Sequence, residues 1–143
     1  MVPLISERLR AGQAVELTVT GQSMWPLLRD GVSVVRLSAP QTLRRGEIAL
    51  FETGTGKYCL HRIRRIRKDG SLDCRGDGNS VWERNIPPEK VLAIVTDFRR
   101  DAVWTSCRSP GYRCYVLLWQ FLGGLRLWYL RILRHRKKQE GTV

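Results

Sequence analysis

The chain has 143 residues, of which 43% are hydrophobic and 27% charged, and its formal net charge is +12. This length allows one domain with a single core plus an appendage, and the absence of repeats or low-complexity segments excludes repeat architectures. The charge is uneven: residues 1–98 hold 15 Lys/Arg against 11 Asp/Glu, and residues 99–143 hold 10 against 2. The basic character is therefore mainly a property of the C-terminal third.

Short elements are predicted along the first 98 residues. Leu4–Arg10 is typical of a short helix, and Ala14–Thr20 alternates apolar and polar residues as a half-buried strand does. Asp69-Gly70 is a tight-hairpin signal, because both residues tolerate positive φ. The further predicted strands are Val32–Leu37, Glu47–Phe51, Tyr58–Arg67, Ser71–Arg75 and Val91–Phe98. Strands of this length and spacing predict a mainly β domain over residues 1–98, built as a compact coiled β-sheet barrel or sandwich.

The C-terminal third has a different composition. Residues 99–113 contain two basic clusters and Ser109-Pro110-Gly111 without periodicity, and they are predicted to be a linker. Residues 114–138 are predicted to form an amphipathic C-terminal helix, with an apolar, aromatic face and a basic end. Residues 139–143 are predicted to form a short tail.

This C-terminal helix suggests contact with a membrane. Its apolar stretch of about 20 residues has the length that crosses a hydrocarbon core, but Arg126 and Arg131 would be costly there. A polar stripe opposite a broad aromatic face instead predicts a helix lying in the membrane interface, so that the protein is peripherally membrane-associated. A membrane-spanning helix, and packing of the helix on the β domain or on a partner protein, are the alternatives, and the side of the membrane stays open.

The first 14 residues contain no long apolar run. A secretory signal and an N-terminal membrane anchor both need such a run. We therefore expect neither of them in this segment.

The four cysteines are Cys59, Cys74, Cys107 and Cys114, and no two of them form a C-x-x-C pair. This spacing is poor for zinc, so we expect no metal site and no cofactor. Cys59 and Cys74 fall in the strands that flank the predicted hairpin. We expect them to be small buried residues, and a disulfide between them stays open.

Two short segments together suggest catalytic chemistry: Gly21-Gln22-Ser23-Met24-Trp25-Pro26 and Leu60-His61-Arg62-Ile63. A serine hydroxyl is a poor nucleophile at neutral pH and needs a positioned base to take its proton. A histidine, with an ordinary pKa of about 6.5, is largely neutral at pH 7 and can serve as that base. Ser23 is therefore the candidate nucleophile and His61 the candidate base.

The same segments suggest the remaining parts of such a site. A carboxylate on the second ring nitrogen of His61 would fix its tautomer and stabilise the imidazolium, and Asp77 or Glu83 could supply it. The Ser23 N–H is a candidate oxyanion donor. We expect the residues around the nucleophile to contact the substrate; they are Gly21, Gln22 and Met24. Gly21 in particular lets a substrate strand approach the backbone closely.

Four segments, in the same order along the chain, resemble those of the signal peptidase I and LexA-repressor group of serine peptidases. The nucleophile segment resembles their G-x-S-M-x-P, and residues 46–51, Gly-Glu-Ile-Ala-Leu-Phe, resemble their G-D-I-V-x-F strand. Residues 60–63 resemble the segment that carries the base, and residues 75–79, Arg-Gly-Asp-Gly-Asn, resemble their K-G-D-x-N turn. A histidine at the base position is the hallmark of the endoplasmic-reticulum and archaeal type.

This resemblance carries expectations about fold and function. It implies the coiled β-sheet fold and a serine endopeptidase that cleaves a leader or signal segment after small residues. In the histidine type an acidic residue assists the base; Asp77 matches the first acid of that segment, and Glu83 falls where an aspartate is usual. The substrate is expected to bind as an extended strand added along the site.

Two other functions stay open from the sequence. A repressor-like regulator would cut itself at Ala11-Gly12, although this pair lies close to Ser23 and no helix-turn-helix segment precedes it. A non-catalytic basic module would bind nucleic acid, but the aromatic residues cluster on an apolar stretch instead of interleaving with Lys/Arg. We therefore expect a peptide or protein substrate, a membrane surface and possible partner proteins in preference to nucleic acid.

The strand that carries His61 is also strongly basic. Its cationic residues are Arg62, Arg64, Arg65, Arg67 and Lys68. A charge run of this kind is usually a solvated face, which is the expectation here. The alternative is that it attracts an acidic substrate segment or anionic lipid.

Overall fold

The computed structural model describes residues 2–140, apart from the side chains of residues 123, 124, 126, 127 and 137–140. In chain order its elements are α1 (Val2–Arg10), β1 (Val15–Thr18), β2 (Val34–Ser38), β3 (Ile48–Glu52), β4 (Tyr58–Ile66), β5 (Leu72–Arg75), β6 (Trp82–Ile86), a 3₁₀ turn (Pro88–Lys90), β7 (Val91–Arg99), β8 (Trp104–Ser106), α2 (Pro110–Phe121) and α3 (Gly123–Glu140). The predicted N-terminal helix and the predicted strands all lie within two residues of an observed element at each end. The mainly β class is therefore confirmed.

The strands form one antiparallel sheet in the order β1-β2-β7-β3-β4-β5-β6, and β8 also pairs with β7. Within the described residues the two end strands, β1 and β6, do not pair with each other, so the sheet is not closed into a barrel. The prediction of a barrel or sandwich is therefore wrong for a closed barrel. Turn signals and alternation locate individual strands, but closure depends on pairing between the first and last strands, which no local pattern encodes.

Two strands were not predicted from the sequence. β6 reads Trp-Glu-Arg-Asn-Ile, so three of its five residues are polar, and Asn85 has a positive φ of 55°. β8 has only three residues and lies in the segment predicted to be a linker. Both strands lie outside the centre of the sheet. In each, pairing with a neighbouring strand compensates for a weak local preference for strand conformation.

The central strands β3 and β7 are buried on both faces. Ile48 and Leu50 belong to one apolar cluster, which also takes residues from α1, α2, β1 and β2. Ala49 and Phe51 belong to a second cluster, whose buried members come only from strands β3, β4, β5, β6 and β7. The near-continuous apolar pattern of β3 is what a strand with two covered faces requires.

The C-terminal third differs from the prediction. The segment 99–113 contains β8 and the first turn of α2, and the single helix predicted over 114–138 is two helices separated at Leu122. Pro110 begins α2, as expected of proline in a first helical turn. Tyr112, Val116 and Trp119 recur at helical spacing and are buried. α2 is therefore part of the core domain; of the predicted tail, residues 141–143 lie outside the described residues.

Along residues 2–140, none of the helices combines the length and the apolarity needed to cross a membrane.

Candidate functional site

The loop that carries Ser23 is anchored to the core on its C-terminal side. Met24, Leu27 and Leu28 are all buried in the cluster beneath the helices, and Leu28 N–H donates to Met24 O at 2.9 Å. On the N-terminal side, Gly21 has a φ of +83°, which disfavours a side chain, and its N–H donates to Asp30 Oδ1 at 2.9 Å. The nucleophile loop is thus held at both ends.

Ser23 itself keeps its polar atoms available. Its side chain is half-buried, and within the described residues neither Oγ nor the N–H of Ser23 forms a hydrogen bond. Its carbonyl oxygen accepts from Gly78 N–H at 2.8 Å. A free hydroxyl and a free backbone donor on one residue are what attack on a carbonyl and stabilisation of the oxyanion both require.

The Gly76-Asp77-Gly78 turn packs directly on this loop. A Cβ atom at Gly76 would overlap the carbonyl oxygen of Ser23, and one at Gly78 would overlap that of Trp25. Glycine is therefore required at both positions by the close approach of two backbones. The turn follows β5, and β5 pairs with β4, the strand that carries His61. The loop that carries Ser23, which packs on this turn, therefore lies beside β4.

His61 lies on β4, opposite Ala49 of β3, and is only 5% exposed. Its ring meets that of Phe51 edge-on at a centroid distance of 6.0 Å. Burial lowers the pKa of His61 below its ordinary value, although the negative charges of Glu83 and Asp77 act in the opposite direction. The imidazole is therefore neutral at pH 7, as a general base must be.

Glu83 is brought to His61 by the unpredicted strand β6. Glu83 pairs with Cys74 of β5, and Cys74 pairs with Ile63 of β4, so the three share the sheet face on which His61 lies. A Glu83 carboxylate oxygen, a His61 ring nitrogen and Cys59 Sγ all lie within 4.8 Å of one another. Nδ1 of His61 is buried and has no hydrogen-bond partner in the described part of the chain.

Asp77 is occupied by a different partner. Its carboxylate accepts from Arg62 Nε at 2.7 Å and from Arg62 Nη2 at 2.6 Å, and both side chains are completely buried. Tyr115 Oη also donates to it, at 3.2 Å. Arg62 Nη1 in turn donates to Gly46 O at 2.7 Å and to Tyr112 Oη at 2.8 Å. Asp77 therefore organises the turn beside Ser23, whereas Glu83 is the carboxylate near His61.

The C-terminal helices hold the same turn from outside. Trp119 of α2 donates its indole N–H to Asp77 O at 3.1 Å, and Arg134 of α3 donates to Gly78 O at 2.7 Å. The rings of Tyr112, Tyr115 and Trp119 stack in sequence along α2. The two helices are thus attached to the site and are not a separate appendage.

The structure brings some of the predicted site residues together but does not join the candidate nucleophile to the candidate base. Ser23 contacts the glycine turn, and His61 lies with Glu83, but within residues 2–140 no hydrogen bond joins Ser23 Oγ to His61. Such a bond is often long before substrate arrives. Gly21 and Gln22 are exposed, whereas Met24 is 1% exposed, so its side chain packs in the core and is not accessible to a substrate.

Sequence alone missed two site residues. Arg62 was expected on a solvated face of the basic strand, and this expectation is wrong because its side chain is buried against Asp77. The sequence features that could have suggested a buried Arg62 are its position next to His61 and the tyrosines of the later helix, Tyr112 and Tyr115. Cys59 was expected to be a buried apolar residue, yet it is half-buried beside His61; within the described residues it and Cys74 are free thiols.

Comparison with known proteins left the family open. No family model matches the chain, and a search of the curated proteins found no match. The resemblance to the signal peptidase group therefore stands on the four sequence motifs.

Proposed function

We propose that the chain is a serine endopeptidase in which Ser23 is the nucleophile, His61 the general base and Glu83 the carboxylate that assists the base. The observation that carries this proposal is the buried His61 beside Glu83, on the strand next to the turn that packs on Ser23. Asp77 is a positioning residue in this proposal, because its carboxylate binds Arg62.

The reaction would proceed by acyl transfer. Ser23 Oγ attacks the carbonyl carbon of the scissile peptide bond while His61 accepts the hydroxyl proton, and the Ser23 N–H donates to the developing oxyanion. Collapse of the tetrahedral intermediate breaks the C–N bond, and His61 returns the proton to the leaving amine. A water activated by His61 then releases the acyl group. Glu83 favours the imidazolium that forms in both halves of the reaction.

An extended peptide is the substrate class that the sheet supports best. β1 and β6 are the end strands of the order, and an edge offers backbone donors and acceptors to an added strand. β6 also carries Glu83. By resemblance, small residues would precede the scissile bond, and the target would be a leader or signal segment.

Cleavage of a diverse peptide library, followed by mass spectrometry, tests the proposal. We expect Ser23→Ala and His61→Ala each to lower kcat/KM by about three to six orders of magnitude. Ser80→Ala and His135→Ala are matched controls, since both residues are exposed. Cleavage that persists in both site variants would refute the Ser/His mechanism, as would the absence of cleavage by the folded wild-type chain on vesicle-presented and free peptides alike.

We also propose that α2 and α3 lie against a membrane surface. Among the described side chains of α2, α3 and the residue between them, seven large apolar ones are exposed: Leu117, Leu118, Phe121, Leu122, Leu125, Trp128 and Tyr129. An exposed apolar patch of this kind marks an interaction surface, and the net positive charge of residues 99–143 suits anionic headgroups.

Vesicle sedimentation tests this second proposal. The full chain is expected to bind vesicles that contain an anionic lipid more tightly than purely zwitterionic ones. Phe121→Ser combined with Trp128→Ser should weaken binding to both, because these two side chains are 83% and 61% exposed. Val103→Ser, also exposed but outside the helices, is the control. Equal binding by the double variant and the wild type would exclude this surface.

A further inference from the structure

Three potential metal ligands meet beside the proposed active site. They are Cys59 Sγ, a ring nitrogen of His61 and a carboxylate oxygen of Glu83, which all lie within 4.8 Å of one another. In a tetrahedral zinc site, ligand atoms about 2.0–2.3 Å from the ion lie about 3.5 Å apart. Small side-chain movements would therefore bring these three atoms to coordination distance.

One of the three cluster residues, His61, also carries an unsatisfied polar atom. Nδ1 of His61 is buried and has no hydrogen-bond partner in the described part of the chain, although the whole residue is only 5% exposed. Buried polar atoms are nearly always paired, and an unpaired one destabilises the folded state. Coordination of an ion through Nδ1 would remove this cost.

The chemistry of the three donors selects the kind of ion. Thiolate, imidazole and carboxylate are the ligands that Zn²⁺ takes in proteins, whereas Ca²⁺ and Mg²⁺ prefer shells of oxygen. Three protein ligands leave a fourth zinc position for water. Cysteine spacing predicted no metal site, because the cluster joins a Cys-x-His pair on β4 to a glutamate on β6 and contains only one cysteine.

We propose that Cys59, His61 and Glu83 form a binding site for Zn²⁺ or a chemically similar ion, and that the ion reversibly blocks the peptidase. The ion would hold the imidazole that must accept the Ser23 proton and the carboxylate that assists it. Metal binding would displace the thiol proton of Cys59 to solvent. The binding half stands on the cluster alone, whereas the inhibitory half rests on the proposed peptidase function.

The binding half is tested on the chelator-treated full chain, without any activity measurement. Zn²⁺ is titrated in competition with a chromophoric chelator, and Co²⁺ is added separately to look for a thiolate-to-cobalt charge-transfer band. Loss of an outer hydrogen-bond partner of a ligand costs about 10–100-fold in affinity, so loss of a ligand should cost at least that. We expect this loss in Cys59→Ser, His61→Ala and Glu83→Gln, together with loss of the cobalt band in Cys59→Ser.

Cys114→Ser and His135→Ala are the matched controls, because both residues are exposed and neither is in the cluster. They should bind as the wild type does, and circular dichroism verifies that each variant is folded. Absence of Zn²⁺ binding by the wild type, or equal binding by wild type and all three cluster variants, would overturn the proposed site.

The inhibitory half compares peptide cleavage with and without Zn²⁺. Zinc should slow the wild type and Cys114→Ser, and excess EDTA should restore both. In Cys59→Ser the ratio of the two rates should fall towards one, whatever its basal rate. Zinc binding without cleavage under any condition would refute the peptidase function and leave the metal site standing. Cleavage that continues unchanged at saturating zinc would overturn the inhibition.

Discussion

His61 and Arg62 are neighbours on β4, yet the two faces of the strand give them opposite environments. Arg62 is completely buried, and its guanidinium forms four hydrogen bonds, two of them to the Asp77 carboxylate. His61 is nearly as buried, but its Nδ1 is unpaired. A fully paired charge rigidifies a structure, whereas a neutral, incompletely paired base remains able to react. One face of β4 therefore carries a fully paired buried charge, and the other carries the proposed base.

The largest expected effect is on kcat/KM, from a change on the face of β4 that carries His61. Glu83→Gln keeps the size of the side chain but removes its charge, so it should lower kcat/KM by about two to four orders of magnitude. Its effect on the free energy of unfolding should be small, because Glu83 is a half-buried residue on an end strand. Steady-state kinetics and urea denaturation measure the two effects. A large loss of stability with unchanged kcat/KM would reverse the comparison.

A change at the partner of Arg62, on the other face of β4, should instead lower the free energy of unfolding. Asp77→Ala leaves the Arg62 charge buried and unpaired, which should cost about 3–5 kcal/mol in the free energy of unfolding. Replacing both residues by leucine should recover much of this loss, since no unpaired charge remains. Asp101→Ala is the control: Asp101 also pairs with an arginine but is 78% exposed, so we expect less than about 1 kcal/mol. Urea denaturation decides, and similar losses in Asp77→Ala and Asp101→Ala would contradict the role of burial.

The pH dependence of kcat/KM sharpens the assignment of the base. Only neutral His61 accepts a proton, so kcat/KM should rise with pH, and burial should place the midpoint of this acidic limb below 6.5. Glu83 raises the pKa of His61, and Glu83→Gln should therefore move the midpoint to still lower pH. Glu16→Gln, on the exposed part of β1, should leave it unchanged. A wild-type midpoint above 6.5 would show that burial does not dominate the pKa of the base.

The smallest expected effect concerns the contact between α2 and the turn. Trp119→Phe keeps an aromatic side chain but removes the hydrogen bond to Asp77 O, which should cost about 1 kcal/mol in the free energy of unfolding. Trp128→Phe is the control, because Trp128 is 61% exposed. Thermal or urea denaturation separates the two variants. An unchanged stability in Trp119→Phe would mean that α2 does not hold the turn through this bond.

Much of the fold could be predicted from local patterns. Alternation located β1, and Asp69-Gly70 located the hairpin between β4 and β5, because side-chain period and turn conformation depend on neighbouring residues only. β6 could not be found in this way, since three of its five residues are polar and its strand conformation depends on pairing with β5. The break between α2 and α3 was missed although Gly123-Gly124 is a typical helix-stop signal, because the apolar pattern continues on both sides of the glycine pair.

For the site, the residue types that could react are evident from local sequence: a serine in a glycine-led loop, a histidine on a strand, and two acids downstream. Only the tertiary structure distinguished the acids, because strand pairing brings Glu83 to the face of His61 while Asp77 pairs with Arg62. The tertiary structure also placed Cys59 beside His61 and Glu83. Chemical identity is a property of single residues, but the partner of a charge is decided by which distant segments the sheet brings together.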